Sequence, residues 1–404
     1  MVPERLEPRF ELLREEYVLV QAWKKTASYI RYHSWFSDTL VLDRAAVNLP
    51  AFLGELRERL QSADTWQNDS LRIVPAPKSQ RWRVRKGTWE PVERRATAAR
   101  LRPLAHVSIA DQVVGTALML CLADRVETLQ GDPDPRRSPV RKPECRKRVV
   151  SYGNRLFCDA IGAKLCHRWG SAKLYRAYYQ DYRTFISRPE VAAESTPVAD
   201  ERRVHVVYTD LRQFYDRVRP ALLASAIDQI RRDDDDPEFF SLAKSVLDWG
   251  WDPSDQRNEI PIYTKQADID GFTRVALPQG LVASGFFANV VLLSFDEALR
   301  TSIGTEIIPG ILLADACRYV DDLRILVAVE ANWRDSSDAL GKTVTDWLGR
   351  ILSAKAPGLM LSPDPKKTRV AALSGDERPL VRQSARMNRI QSAVSGGFDA
   401  LGGE

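Results

Sequence analysis

Two adjacent aspartates, Asp321 and Asp322, interrupt an otherwise largely apolar run from Cys317 to Val329. Such a run reads as strand, tight turn, strand, with the acids at the tip of a hairpin. Two carboxylates side by side are costly unless cations neutralise them. A third acid, Asp210, ends the β-branched run Val204–Thr209. From a strand end a side chain is held rigidly and can point into a cleft. Leu277-Pro278-Gln279-Gly280 leads into a strong helical pattern from Ser284 to Leu299. With helices over Pro220–Arg231 and Trp333–Ala354 and a strand over Arg369–Leu373, this order predicts an α+β protein. The expected core is a small antiparallel sheet with helices on one side.

Upstream, Glu11–Ala27, Leu49–Leu60 and Asp111–Glu127 place apolar residues at helical spacing, and Phe157–Phe185 also reads as helical. Ser62–Ser70 is a polar break, Leu71–Thr97 is strand-like, Asp252–Thr273 is loop-rich, and Arg382–Val394 reads as a final helix. The 404 residues suit two to three compact units. No apolar window is long enough to span a bilayer, and the charged start, Met1–Arg5, lacks a signal core, so a cytoplasmic protein without a membrane partner is expected. Five cysteines without CxxC spacing argue against a disulfide framework, and Cys166-His167 reads better as buried side chains than as half a zinc site.

The net charge is only +5, but Arg136, Arg137, Arg141, Lys142, Arg146, Lys147 and Arg148 crowd into one stretch. It reads either as a phosphate-binding segment or as a solvated, poorly ordered loop. Asp233–Asp236 reads as an exposed acidic loop without a rigid scaffold for a metal.

Nucleotidyl transfer accounts for the acids. A 3′-oxygen must lose its proton while charge builds on pyrophosphate, and two divalent ions can stabilise both oxygens of the in-line displacement. Magnesium prefers oxygen ligands and keeps some waters, so a few carboxylates plus substrate phosphates suffice; manganese could replace it. Asp210 and Asp321 are expected to face each other across this site, with Asp322 as a weaker ligand and the main-chain carbonyl of Leu211 as a further one.

With these segments in view, the chain resembles a reverse transcriptase. Tyr208–Asp216, Pro278-Gln279-Gly280 and Tyr319-Val320-Asp321-Asp322 resemble the palm motifs, and Lys366-Lys367-Thr368 the later lysine motif. Arg102-Pro103-Leu104 with Ile109–Val113 is similar to the fingers block of group II intron and retron enzymes. The segment after Gln279-Gly280 departs from the group II pattern. Ser151–Leu156 is closer to the bacterial abortive-infection and defence-associated enzymes, as are Trp23–Thr26 and His33–Trp35.

The resemblance implies a right-hand polymerase fold: a helical extension over 1–70, fingers over 71–200, a palm over 201–375 with a part of the fingers near 232–275, and from 376 the start of a thumb or helical domain. Little or no thumb is present, so a truncated chain or a partner domain is expected. The implied activity is RNA-directed DNA polymerase, acting in antiphage defence. Its partners would be an RNA template or noncoding RNA, the DNA product and deoxynucleotides, with a homo-oligomer as a further option. The alternatives are untemplated or protein-primed DNA synthesis, which shares every motif, and an inactive RNA-binding scaffold.

The family match places Tyr215 under the sugar, where its ring would clash with a 2′-hydroxyl; as a residue alone it could be an ordinary core tyrosine. It makes Gln279 a nucleotide contact, with Gly280 permitting close backbone approach. Lys367, with Lys366 as its rival, would neutralise departing pyrophosphate. Arg102, with Arg100, would grip the triphosphate. Ser284 reads as a helix cap, Asn289 as a core polar group, Asp216 as a turn-ordering acid and His205 as scaffold. Arg141, Lys142, Arg146, Lys147 and Arg148 are the candidate nucleic-acid contacts.

Overall fold

The computed structural model describes residues 5–33, 38–77, 82–91, 101–195, 202–331, 333, 336–364 and 367–373. Its centre is an antiparallel sheet of five strands: β1 (Arg202–Asp210), β2 (Glu306–Ile308), β3 (Ile311–Tyr319), β4 (Asp322–Glu330) and β5 (Arg369–Ala372), in the order β2-β3-β4-β1-β5. β3 and β4 form a hairpin closed by Val320 and Asp321, with Tyr319 paired to Asp322. β1 and β4 pair so that Asp210 lies opposite Asp322, Tyr208 opposite Arg324 and Val206 opposite Leu326.

These strands are apolar on both sides, and both faces are covered. Val207, Leu313, Ile325 and Val327 face the helices Ser284–Ser302 and Ser337–Lys355. Val206, Ala314 and Leu326 face Ala192 of the helix Tyr178–Ser195. Helices therefore lie on both faces, not on one. A bulge between Leu313 and Asp315 turns Asp315 to the second face, where buried Arg188 clasps it with bonds of 2.7 and 2.8 Å. A buried acid of this kind needs a paired, hydrogen-bonded partner.

The second covering layer exists because Phe157–Phe185 is not one helix. Cys158–Ile161 and Lys164–His167 pair as a hairpin, with Gly162 at φ 59° in its two-residue turn. Positive φ at the first turn position suits glycine and matches the twist of the strands. The helix begins only at Tyr178. Asp252–Thr273 is likewise more ordered than expected: Asp252 caps Pro253–Asn258, and Ile260–Ala267 follows. The acidic run is half structural, because Asp235 pairs with Arg125 and Asp236 accepts from the Phe10 and Glu238 N–H groups. The segment Arg382–Val394 lies outside the described residues.

One hydrophobic cluster runs from Leu6 through the long helix Ile109–Gln130 to Leu359. Lys25, fully buried on the helix Glu16–His33, donates to the carbonyls of Ser171, Lys173 and Arg168 at 2.6, 3.0 and 3.3 Å. Burial lowers its pKa to about 7. Among the described residues no helix is long and apolar enough to cross a membrane.

Candidate active site

Asp210 ends β1 beside the hairpin tip, and the Leu211 N–H donates to the Asp321 carbonyl at 2.9 Å. The acids from the two distant segments thus meet at one end of the sheet, lining a cleft of about 610 Å³ together with Leu211, Arg102, Tyr215, Gln279 and Lys367. Lys367 Nζ donates to Asp210 Oδ2 at 2.9 Å, and the bond raises the lysine pKa. Asp210 Oδ1 is buried and has no hydrogen-bond partner. Asp322 stands at the exposed rim. The protein packed around its carboxyl, and then the charge of Asp210, raise its pKa.

The tip is strained. Val320 has φ 56° and Gln213, in the cleft wall, has φ 47°. Non-glycine residues in this region cost about 1–3 kcal/mol each and persist only where the surroundings over-determine them. Here Arg318, fully buried, supplies much of that constraint. Its guanidinium binds both oxygens of Asp296 at 2.6 and 2.7 Å and donates to the Val320 carbonyl at 3.2 Å. The segment Ser151–Arg155 braces the other side: Tyr152 N–H donates to the Arg318 carbonyl, and Arg318 N–H to Val150. Gly153 is required there, because a Cβ would lie 2.6 Å from the Val320 N and Cγ2 atoms.

The same segment reaches the sugar-gate candidate. Asn154 donates to the Tyr215 hydroxyl at 3.1 Å, while Asn289 holds the Gly153 and Asn154 carbonyls. Burial and then the charge of Asp321 raise the Tyr215 pKa. Gln279 donates to Asp216 at 2.7 Å, and Asp216 accepts from Tyr263 at 2.5 Å, so Asp216 positions a wall of the cleft as well as its own turn.

Several expected roles change. Gly280 makes its close approach to the chain itself: a Cβ would lie 1.9 Å from the Ala105 carbonyl, and Gly280 is absent from the cleft lining. Ser284 donates to the Pro278 carbonyl rather than capping its helix. Arg146 is buried against Asp315 and the Val140 carbonyl and cannot meet a polynucleotide, whereas Arg141, Lys142, Lys147 and Arg148 are exposed. The loop before them is held by Arg136 and Arg137 on Asp134 and Asp132. His167 is buried, bonded to the Phe157 carbonyl, and its pKa falls to about 3, which fits a structural imidazole. Asn289 is a core polar group as expected, and His205 is half-buried scaffold. Arg102 lies exposed on the strand Leu101–His106 at the cleft edge; Arg100 and Lys366 lie outside the described residues.

Among the described residues no three His, Cys, Asp or Glu side chains form a preassembled metal cage. The site nevertheless fits a hard cation: Asp210 has an unpaired buried oxygen, its other oxygen already holds an ammonium, and further carboxylates stand beside it. The chain is a mixed α+β protein with an acid-bearing cleft at the edge of a small antiparallel sheet. Its sequence matches no known family model and no curated protein.

Proposed function

We propose that this protein is a nucleotidyltransferase of the reverse-transcriptase type, adding deoxynucleotides to a 3′-hydroxyl along an RNA template. The observation that carries the reading is the meeting of Asp210 and Asp321, remote in sequence, in one cleft with Tyr215, Gln279 and Lys367, with Asp322 paired opposite Asp210. Divalent ions held by Asp210, Asp321 and Asp322, with the Leu211 carbonyl, would activate the 3′-oxygen and stabilise the leaving pyrophosphate.

The chain's own groups have distinct tasks. Asp210 and the hairpin acids fix the charge at one end of the sheet. Arg318 and the Ser151–Arg155 segment keep the turn rigid, which preserves reacting geometry. As the 3′-oxygen bonds to the α-phosphorus, the bond to pyrophosphate breaks, and Lys367 can give that leaving group a proton. On this reading the Tyr215 ring, which lines the cleft and is held by Asn154, would crowd a ribose 2′-hydroxyl and so favour deoxynucleotides. Arg102 stands at the edge suited to the triphosphate.

Incorporation of labelled deoxynucleotide into a primer on an RNA template, with magnesium, tests the reading. Asp321→Asn should lower the rate by roughly a hundred- to a thousandfold, on the scale of losing a main electrostatic contributor. Equal rates in variant and parent would refute it.

A further inference from the structure

The helix Tyr178–Ser195 starts beside the acid hairpin with two exposed rings. Tyr178 is 61% and Tyr179 68% exposed. Tyr178 stacks on Tyr182, with centroids 5.2 Å apart and planes at 17°, and both meet Tyr319 of the hairpin edge-on. Aromatic rings this exposed lose little by accepting a further ring, and the stack is open at its outer end. The site is close to the acids, since Tyr319, which both rings meet, is paired with Asp322 across the hairpin.

Charge continues along the same helix. Arg183, one turn beyond Tyr179, is exposed. Ten residues beyond Tyr178, about 15 Å along the axis, buried Arg188 binds the carbonyls of Arg146 and Val149. That bond fixes the basic segment against the helix, with Arg141, Lys142, Lys147 and Arg148 turned to solvent.

We infer that this surface is a binding track for single-stranded polynucleotide, with bases stacking on Tyr178 and Tyr179 and phosphates lying against Arg183 and the 141–148 segment. Stacking on tyrosine is indifferent to base identity, and a basic border follows a backbone without reading it. The track ends at Tyr319, one residue before the acid-bearing turn, so it delivers a strand end to the cleft. This inference rests on the nucleotidyltransferase reading and adds to it the form of the nucleic acid and its route.

The test is equilibrium binding of fluorescent oligodeoxythymidylate and oligouridylate to the full chain, without metal or nucleotides, across a range of salt. Tyr178→Ala with Tyr179→Ala should weaken binding by about thirtyfold or more, at an unchanged salt slope. Tyr178→Phe with Tyr179→Phe should bind like the parent. Arg141→Gln with Lys142→Gln should reduce the slope of log affinity against log salt by about 1.4. Tyr179→Ala alone, an exposed change, keeps the test valid if the double variant misfolds, and should weaken binding at least threefold. Parental affinity in the alanine variants, equal loss in the phenylalanine variants, or no binding by the parent overturns the track. Incorporation that persists in Asp321→Asn overturns the underlying reading, whatever the tyrosine variants do.

Discussion

At the scale of single residues, the ammonium of Lys367 does for Asp210 part of what a divalent ion would do: it offsets charge next to two further carboxylates. On the proposed reading, an incoming ion would compete with it. Lys367→Gln is therefore expected to bind Mn²⁺ about three- to tenfold more tightly, on the order of 1 kcal/mol, while lowering the rate of incorporation. Titration of free Mn²⁺ by electron paramagnetic resonance reads the affinity; unchanged or weaker binding would count against Lys367 as a competing cation. Asp210 and the hairpin acids were legible in the sequence, because an acid at the end of an apolar run has few places to go. Arg318 stood beside the motif, yet its role was hidden: its partner Asp296 lies on the Ser284–Ser302 helix, and only the packing of helix on sheet brings the two together. Asn154 was quoted within a motif, but its bond to the Tyr215 hydroxyl depends on a contact no local pattern encodes.

At the scale of elements, the hairpin carries strain at Val320 that neighbouring segments must hold in place. Gly153 is where that support is most sensitive, since any Cβ would push on the backbone of the turn. Gly153→Ala should cut incorporation at least tenfold, with a Gly349→Ala control unaffected because nothing lies within 4 Å of a Cβ there. Comparable rates in the two variants would separate the turn's geometry from catalysis. The small antiparallel sheet and most of the longest helices followed from apolar periodicity; the order of the strands, the edge strand β2 and the shorter helices did not. The helix Tyr178–Ser195 did not, because the hairpin before it has apolar residues at spacings that also suit a helix. Gly162, in the left-handed region, was the local sign that the chain turns there.

At the scale of the molecule, the N-terminal helices and the central sheet share one core, and Asp111 sits near their junction. It is fully buried, accepts from the Asp69 N–H at 3.0 Å, and leaves Oδ1 without a partner. Burial, then the charge of Asp69, pushes its pKa up to about 7. The folded state thus holds this proton more tightly than the unfolded chain, whose aspartates titrate near pH ~4. The resulting stabilisation is complete below that pH and is lost as pH rises through about 7. Asp111→Asn cannot titrate, so its stability relative to the parent should increase between acid and neutral pH by on the order of 4 kcal/mol. Urea unfolding at several pH values measures this, and a pH-independent difference would rule out the buried acid as its source.

Among the described residues, helices cover both faces of the central sheet, and the acids lie at the strand ends. On the reading proposed above, a bound strand would run along the outside of the covering helix Tyr178–Ser195 and reach the acids at the sheet's end, never lying on the strands themselves.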